Sequence, residues 1–126
     1  MILIDTSMLV DALAGPRRSL SLLVRVIDSR GRVKLSSIVA YEWLRGPRTE
    51  RELAIQEGLF PVSGAIAFDA TDAEIAARLY KAVRRARARE VDLAIAACAI
   101  RHEAELWTAN RSDFADIPGL RLFSVG

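Results

Sequence analysis

The chain has 126 residues, about the length of one domain, and 52% of them are hydrophobic, which suits a packed aliphatic core and excludes a disordered chain. Eighteen basic residues against 16 acidic ones leave a formal charge of +2, and the one cysteine, Cys98, can form neither an intrachain disulfide nor a Cys-rich zinc site. Charges interrupt every apolar run, so no transmembrane helix is expected; Met1-Ile2-Leu3-Ile4-Asp5 lacks a basic start and a cleavage site, and the expectation is a cytoplasmic protein.

In chain order, Met1–Ile4 predicts a buried strand that stops at the polar turn Asp5-Thr6-Ser7. Ser7 can cap a helix carrying Met8, Leu9, Ala12 and Leu13, closed by Gly15-Pro16. Leu20, Leu23, Val24 and Ile27 recur with helical spacing between Ser19 and Asp28, and Gly31 ends that helix. Val33–Leu35 predicts a second strand. Ser36 or Ser37 then caps a helix bearing Val39, Ala40, Trp43 and Leu44, which Gly46-Pro47 closes. A helix is expected over Glu50–Glu57, ending at Gly58, and a third strand over Ala65–Phe68. Asp69–Asp72 forms a turn and cap before a long helix with Ile75, Leu79, Tyr80 and Val83, which ends at the run Arg84–Arg89. Val91–Arg101 is apolar almost all round and should be buried on most sides. Glu105–Thr108 and Arg121–Ser124 predict the last two strands. Strands alternating with helices imply an α/β fold: a parallel sheet of about five short strands with helices on both faces, in one domain spanning 1–126.

Ligands of open parallel sheets bind beyond the carboxyl ends of the strands. Asp5 stands at such an end, and Asn110 and Asp113 follow the strand ending at Thr108. Glu42 can lean over the same edge from its helix, and Asp92 opens the buried helix, where the positive end of the dipole favours a carboxylate. Each has a plainer reading: Asp5 as a helix cap, Glu42 as a solvated side chain, Asp92 as a dipole partner, Asp113 as a loop cap and Asn110 as a turn former. Together, four carboxylates at one edge would repel one another, and a divalent cation such as Mg²⁺ or Mn²⁺ is the usual remedy. Setting these four aside leaves 18 basic residues against 12 acidic ones. An acidic pocket on a basic body suits a phosphate-backbone substrate cut with metal assistance, with no need for a histidine base.

Four segments carry a resemblance: Ile2-Leu3-Ile4-Asp5-Thr6-Ser7, Ser36-Ser37-Ile38-Val39-Ala40-Tyr41-Glu42, Val91-Asp92-Leu93-Ala94-Ile95-Ala96-Ala97, and Thr108-Ala109-Asn110-Arg111-Ser112-Asp113-Phe114. In this order and spacing they resemble a PIN-domain ribonuclease, and the length and the tail Ile117–Leu122 resemble the VapC toxins of toxin–antitoxin pairs. The resemblance implies a three-layer PIN-like fold and a Mg²⁺-dependent endoribonuclease with a four-carboxylate site on Asp5, Glu42, Asp92 and Asp113. Asp5 and Asp92 would be the most direct ligands, with Thr6 and Asn110 orienting acids or substrate. It also implies a homodimer, structured RNA such as tRNA or rRNA as substrate, and a cognate VapB antitoxin that blocks the site and alone reaches DNA. Two departures stand out: Arg-Ala-Arg-Ala-Arg-Glu-Val precedes Asp92 where relatives often carry a Gly- or Pro-containing loop, and Ala109 replaces a frequent arginine.

All the basic residues but Lys34 and Lys81 are arginine, whose fork matches phosphate oxygens. Arg84, Arg85, Arg87 and Arg89 can grip RNA or simply complete a solvated helix end; Arg45 and Arg48 lie near Glu42 and are candidates for substrate phosphate or antitoxin acids. His102 is expected at the surface and Cys98 in the core, while Tyr41 and Trp43 flank Glu42 on a helix that packs inward or faces a partner. The alternative functions are a PIN-like binding module without catalysis and a phosphatase built on Asp5. The phosphatase normally needs a second Asp where Ser7 stands.

Overall fold

A computed structural model describes residues 1–125. Its centre is β1 (Ile2–Ile4), flanked by β2 (Val33–Lys34) and β3 (Glu105–Trp107), with β4 (Arg121–Leu122) beyond β3; all pairings are parallel, in the order β2-β1-β3-β4. The three side chains of β1 are buried, as the continuous apolar run of a parallel strand covered on both faces requires. Ile2 pairs with Glu105 and Ile4 with Trp107, so the residues that follow, Asp5 and Thr108, leave the sheet side by side.

Among the described residues, six α-helices flank the sheet. The backbone carbonyl of Asp5 accepts from the N–H groups of Met8 and Leu9, which starts α1 (Thr6–Leu13) directly from the strand. Gly31, in the left-handed region at φ 78°, ends α2 (Leu20–Arg30). The Ser36 hydroxyl caps α3 (Ser37–Arg45) by accepting from Val39 N. Thr49 and Glu52 form a reciprocal capping box on α4 (Glu50–Leu59), and the second oxygen of Glu52 accepts from Gly15 N at 2.9 Å, tying α4 to the turn after α1. Asp69 and Asp72 repeat the device on α5 (Ala70–Ala82). In α6 (Glu90–Arg101) Leu93 and Ile95–Ala99 are all buried, as its nearly all-round apolar sequence anticipates.

The expected strand over Ala65–Phe68 shrinks to a single bridge: Ile66 donates to Leu35 O and its carbonyl accepts from Ser37 N. Its partner is already turning into α3 at Ser37, and Asp69 begins capping α5 three residues later, so no length of ladder remains. The sheet therefore has four strands.

Candidate functional site

Asp5 is 4% exposed at the N-cap position of α1, yet its side chain makes no capping bond. Instead its Oδ2 accepts from two hydroxyls, Ser7 Oγ at 2.7 Å and Thr108 Oγ1 at 2.8 Å. Both hydroxyl protons are then committed to Asp5, and the hydroxyl oxygens accept in turn, Ser7 from Ala109 N and Thr108 from Asn110 N. The carboxylate at the end of β1 is thus fixed by groups from α1 and from the loop after β3. The capping alternative for Asp5 does not hold. Ser7, expected as a helix cap, lies inside α1 and binds Asp5 instead, and Thr108 was read only as a strand end; the register that puts it beside Asp5, 103 residues away in the chain, is the signal for it.

Glu42 sits on α3, and its Oε1 accepts from Thr6 Oγ1 at 2.6 Å. Asp92 is half-buried in the first turn of α6. Burial, then the charges of Asp5, Asp113 and Glu42, push its carboxyl up to about 6, only partly countered by Arg89. Asp113 ends a short 3-10 turn, Arg111–Asp113, and is exposed. Asp5, Glu42 and Asp113, from three separate segments, thus lie close enough to Asp92 for their charges to act on it. Asp92 and Asp113 share a cavity of about 300 Å³ with Arg85, Ala88 and Arg89.

This donor set is chemically suited to a hard divalent cation. Asp5 Oδ1 and the carboxylates of Asp92 and Asp113 are not occupied by protein hydrogen bonds among the described residues. Among those residues, no three acidic, histidine or cysteine side chains stand close enough to enclose an ion by themselves. The fit is that of Mg²⁺ or Mn²⁺, which keep several waters and need only one or two carboxylates.

The arginines divide into two sets. Arg48 donates from Nε to Trp43 O at 2.9 Å and stacks 4.2 Å from the centre of the Trp43 ring, which leaves it an internal fixture of the α3–α4 corner. Arg45 is exposed, lies over Tyr41 and reaches Glu42 only at 3.5 Å. Arg84 and Arg85 are exposed, and Arg85 takes a left-handed backbone at φ 55°. Asn110 supplies backbone bonds to Thr108 and Asp113, its side chain facing solvent. Trp43 and Cys98 are core residues, as expected. His102 departs from its expected surface place: it is half-buried, and its Nε2 is buried without a partner.

A family model described as the PIN domain matches residues 2–120. Ribonuclease VapC19 of Mycobacterium tuberculosis is 35% identical over 127 aligned positions, covering 96% of this chain and 98% of that protein. The DNA-bound VapBC structure from Salmonella typhimurium contains a chain that matches with a TM-score of 0.76 at 22% identity, over 97% of this chain and 96% of its own. A toxin-antitoxin complex from Klebsiella pneumoniae matches at 0.69 and 25% identity, over 99% and 100%. No helix among the described residues is long and apolar enough to cross a membrane. With four parallel strands, acids gathered at their carboxyl ends and a family match spanning nearly the whole chain, the protein belongs to the PIN-domain family, as a homologue of the VapC ribonucleases.

Proposed function

We propose that this protein is a divalent-metal-dependent endoribonuclease that hydrolyses phosphodiester bonds in structured RNA, of the tRNA or rRNA kind. In this reading it is one domain, acts as the toxin of a VapBC-type pair, works as a homodimer in the cytoplasm, and is silenced by a VapB-like antitoxin that alone contacts DNA. The observation that carries the reading is that Asp5, Glu42 and Asp113, from three separate segments, all lie near enough to Asp92 to raise its carboxyl, and that Asp113 shares its cavity. The 35% identity to a ribonuclease over 96% of the chain supports it.

Asp5 and Asp92 would hold Mg²⁺ or Mn²⁺ directly, with Glu42 and Asp113 completing the acidic rim. Bound there, the ion would polarise the scissile phosphate and lower the pKa of an attached water. The chain's own contribution is positional. Ser7 and Thr108 fix Asp5 by two hydrogen bonds, Thr6 fixes Glu42, and Arg85 lines the cavity beside Asp92 and Asp113, where a substrate phosphate would be drawn in. Exposed Arg45 remains available for substrate phosphate or antitoxin acids, whereas the guanidinium of Arg48 is already engaged.

The test is RNA cleavage by purified protein with Mg²⁺ or Mn²⁺. Asp5→Asn and Asp92→Asn should each abolish it with circular dichroism unchanged; cleavage retained by both variants would defeat the reading. One rival is a binding module without catalysis, since among the described residues no three such side chains enclose an ion by themselves. RNA bound but never cut with either ion would establish that rival instead.

A further inference from the structure

The guanidinium of Arg89 is the most heavily engaged among the described basic residues. It ends the run that precedes α6, three residues before Asp92, and reaches across to the turn after β3. Its Nη2 donates to the backbone carbonyl of Asp113 at 2.9 Å and to Asp116 Oδ1 at 2.6 Å, while Nη1 donates to Asp116 Oδ2 at 3.0 Å and to Arg84 O at 3.0 Å. The pair with Asp116 is two-pronged, a geometry that fixes direction as well as distance. The Asp116 carboxyl is held below its ordinary range by the hydrogen bond from Arg89. Buried Phe114 and Ile117 hold the same turn from inside, but Asp113 is exposed and sits on a single 3-10 turn. The Arg111 side chain anchors the start of this turn by donating to Phe123 O at 2.9 Å, and Arg89 ties its Asp113 end to the segment that carries Asp92.

We infer that Arg89 and Asp116 form a clamp that positions Asp113 against Asp92, making Arg89 a positioning residue of the acidic site rather than a contact for RNA. The inference rests on the proposed nuclease reading for its consequence, though not for its geometry. It assigns different work to members of one arginine run: Arg84 and Arg85 are exposed, with Arg85 on the wall of the cavity, while Arg89 is tied to Asp116 and to the backbone of Asp113.

The clamp and a plain charge effect predict opposite results. If Arg89 acted only as a positive charge beside the acids, Arg89→Ala would tighten cation binding. The clamp requires the reverse. Arg89→Ala, and Asp116→Asn with the arginine charge intact, should each weaken Mn²⁺ binding measured by calorimetry, or lower kcat for RNA, by about 10–100-fold, with KM changed far less. Arg89→Lys keeps the charge without the fork and should recover only part of the loss. The double variant should be no worse than either single one.

Amide hydrogen exchange over residues 111–116 in the ion-free protein supplies a readout that needs neither metal nor substrate, and it should quicken in both single variants. Unchanged exchange, or tighter Mn²⁺ binding by Arg89→Ala, would overturn the clamp. If wild-type protein neither binds Mn²⁺ nor cuts RNA, the nuclease reading falls, and faster exchange in the variants still upholds the clamp. Should Arg89→Ala fail to fold, Arg89→Lys carries the binding comparison, since a plain charge effect predicts no change there and the clamp a loss, and Asp116→Asn carries the exchange readout.

Discussion

At the scale of single residues, the site turns on how one carboxylate is held. Asp5 is nearly inaccessible, and two hydroxyls direct its Oδ2 so that Oδ1 is left over. Replacing Thr108 by valine keeps the shape of the side chain but removes one of these donors and the acceptor of Asn110 N. A buried group that loses its partner costs about 1–3 kcal/mol, and a misdirected acid costs about tenfold or more in activity. Thr108→Val should therefore show both losses, by urea unfolding and by RNA cleavage; full activity would mean that Ser7 alone orients Asp5. Asp5 and Asp92 were legible from sequence because one follows a strand and the other opens a helix, while Glu42, well inside α3, and Asp113, on a turn beyond β3, leaned on the resemblance. The hydroxyls were not. Ser7 reads as an ordinary cap, and Thr108 gains meaning only once β1 and β3 pair in register. Arg48 and Arg89 were misleading for the opposite reason, since their partners, a backbone carbonyl and an aspartate in a distant turn, carry no local signature.

At the scale of elements, the packing of α5 against α6 contains a charged fastening. Asp72, wholly buried in the first turn of α5, takes Arg101 Nε at 2.5 Å and Nη2 at 3.1 Å from the last turn of α6. Burial would push the Asp72 carboxyl up, but the hydrogen bond from Arg101 and the backbone N–H of Asp69 outweigh it, and the net position is below the ordinary 3.8. A depressed folded-state pKa contributes stability that is present above the unfolded value and lost as pH falls through the folded one. The melting temperature should therefore drop as the pH is lowered from about 5 through 4 and below. Asp72→Asn should be less stable than wild type at pH 7, with the gap closing in acid; a constant gap between pH 7 and pH 3 would show that the pair does not titrate with folding. Helices were the readable elements, since apolar spacing and caps such as Ser36, Thr49 and Asp69 are local. Strands of two or three residues are not. Ala65–Phe68 has strand-like composition, and only the early turn of its partner into α3 denies it a ladder.

At the scale of the whole molecule, the excess of positive charge lies outside the acidic site. RNA bound by such a body displaces counterions, and affinity should fall with salt at a log–log slope of about −0.7 per phosphate contacted for single strands. Filter binding of RNA by the Asp5→Asn protein between low and moderate salt measures that slope without cleavage; a flat response would mean that the arginines do not touch the backbone. The long-range pairing that builds the sheet has a further consequence, because Asp5 finds Thr108 only when β3 docks beside β1. During translation the first acid leaves the ribosome long before the segments that complete its surroundings, so a half-made polypeptide has no assembled acidic pocket. On the proposed reading, any cutting power would arrive late and all at once, leaving the time of synthesis for an inhibitor to be made ready.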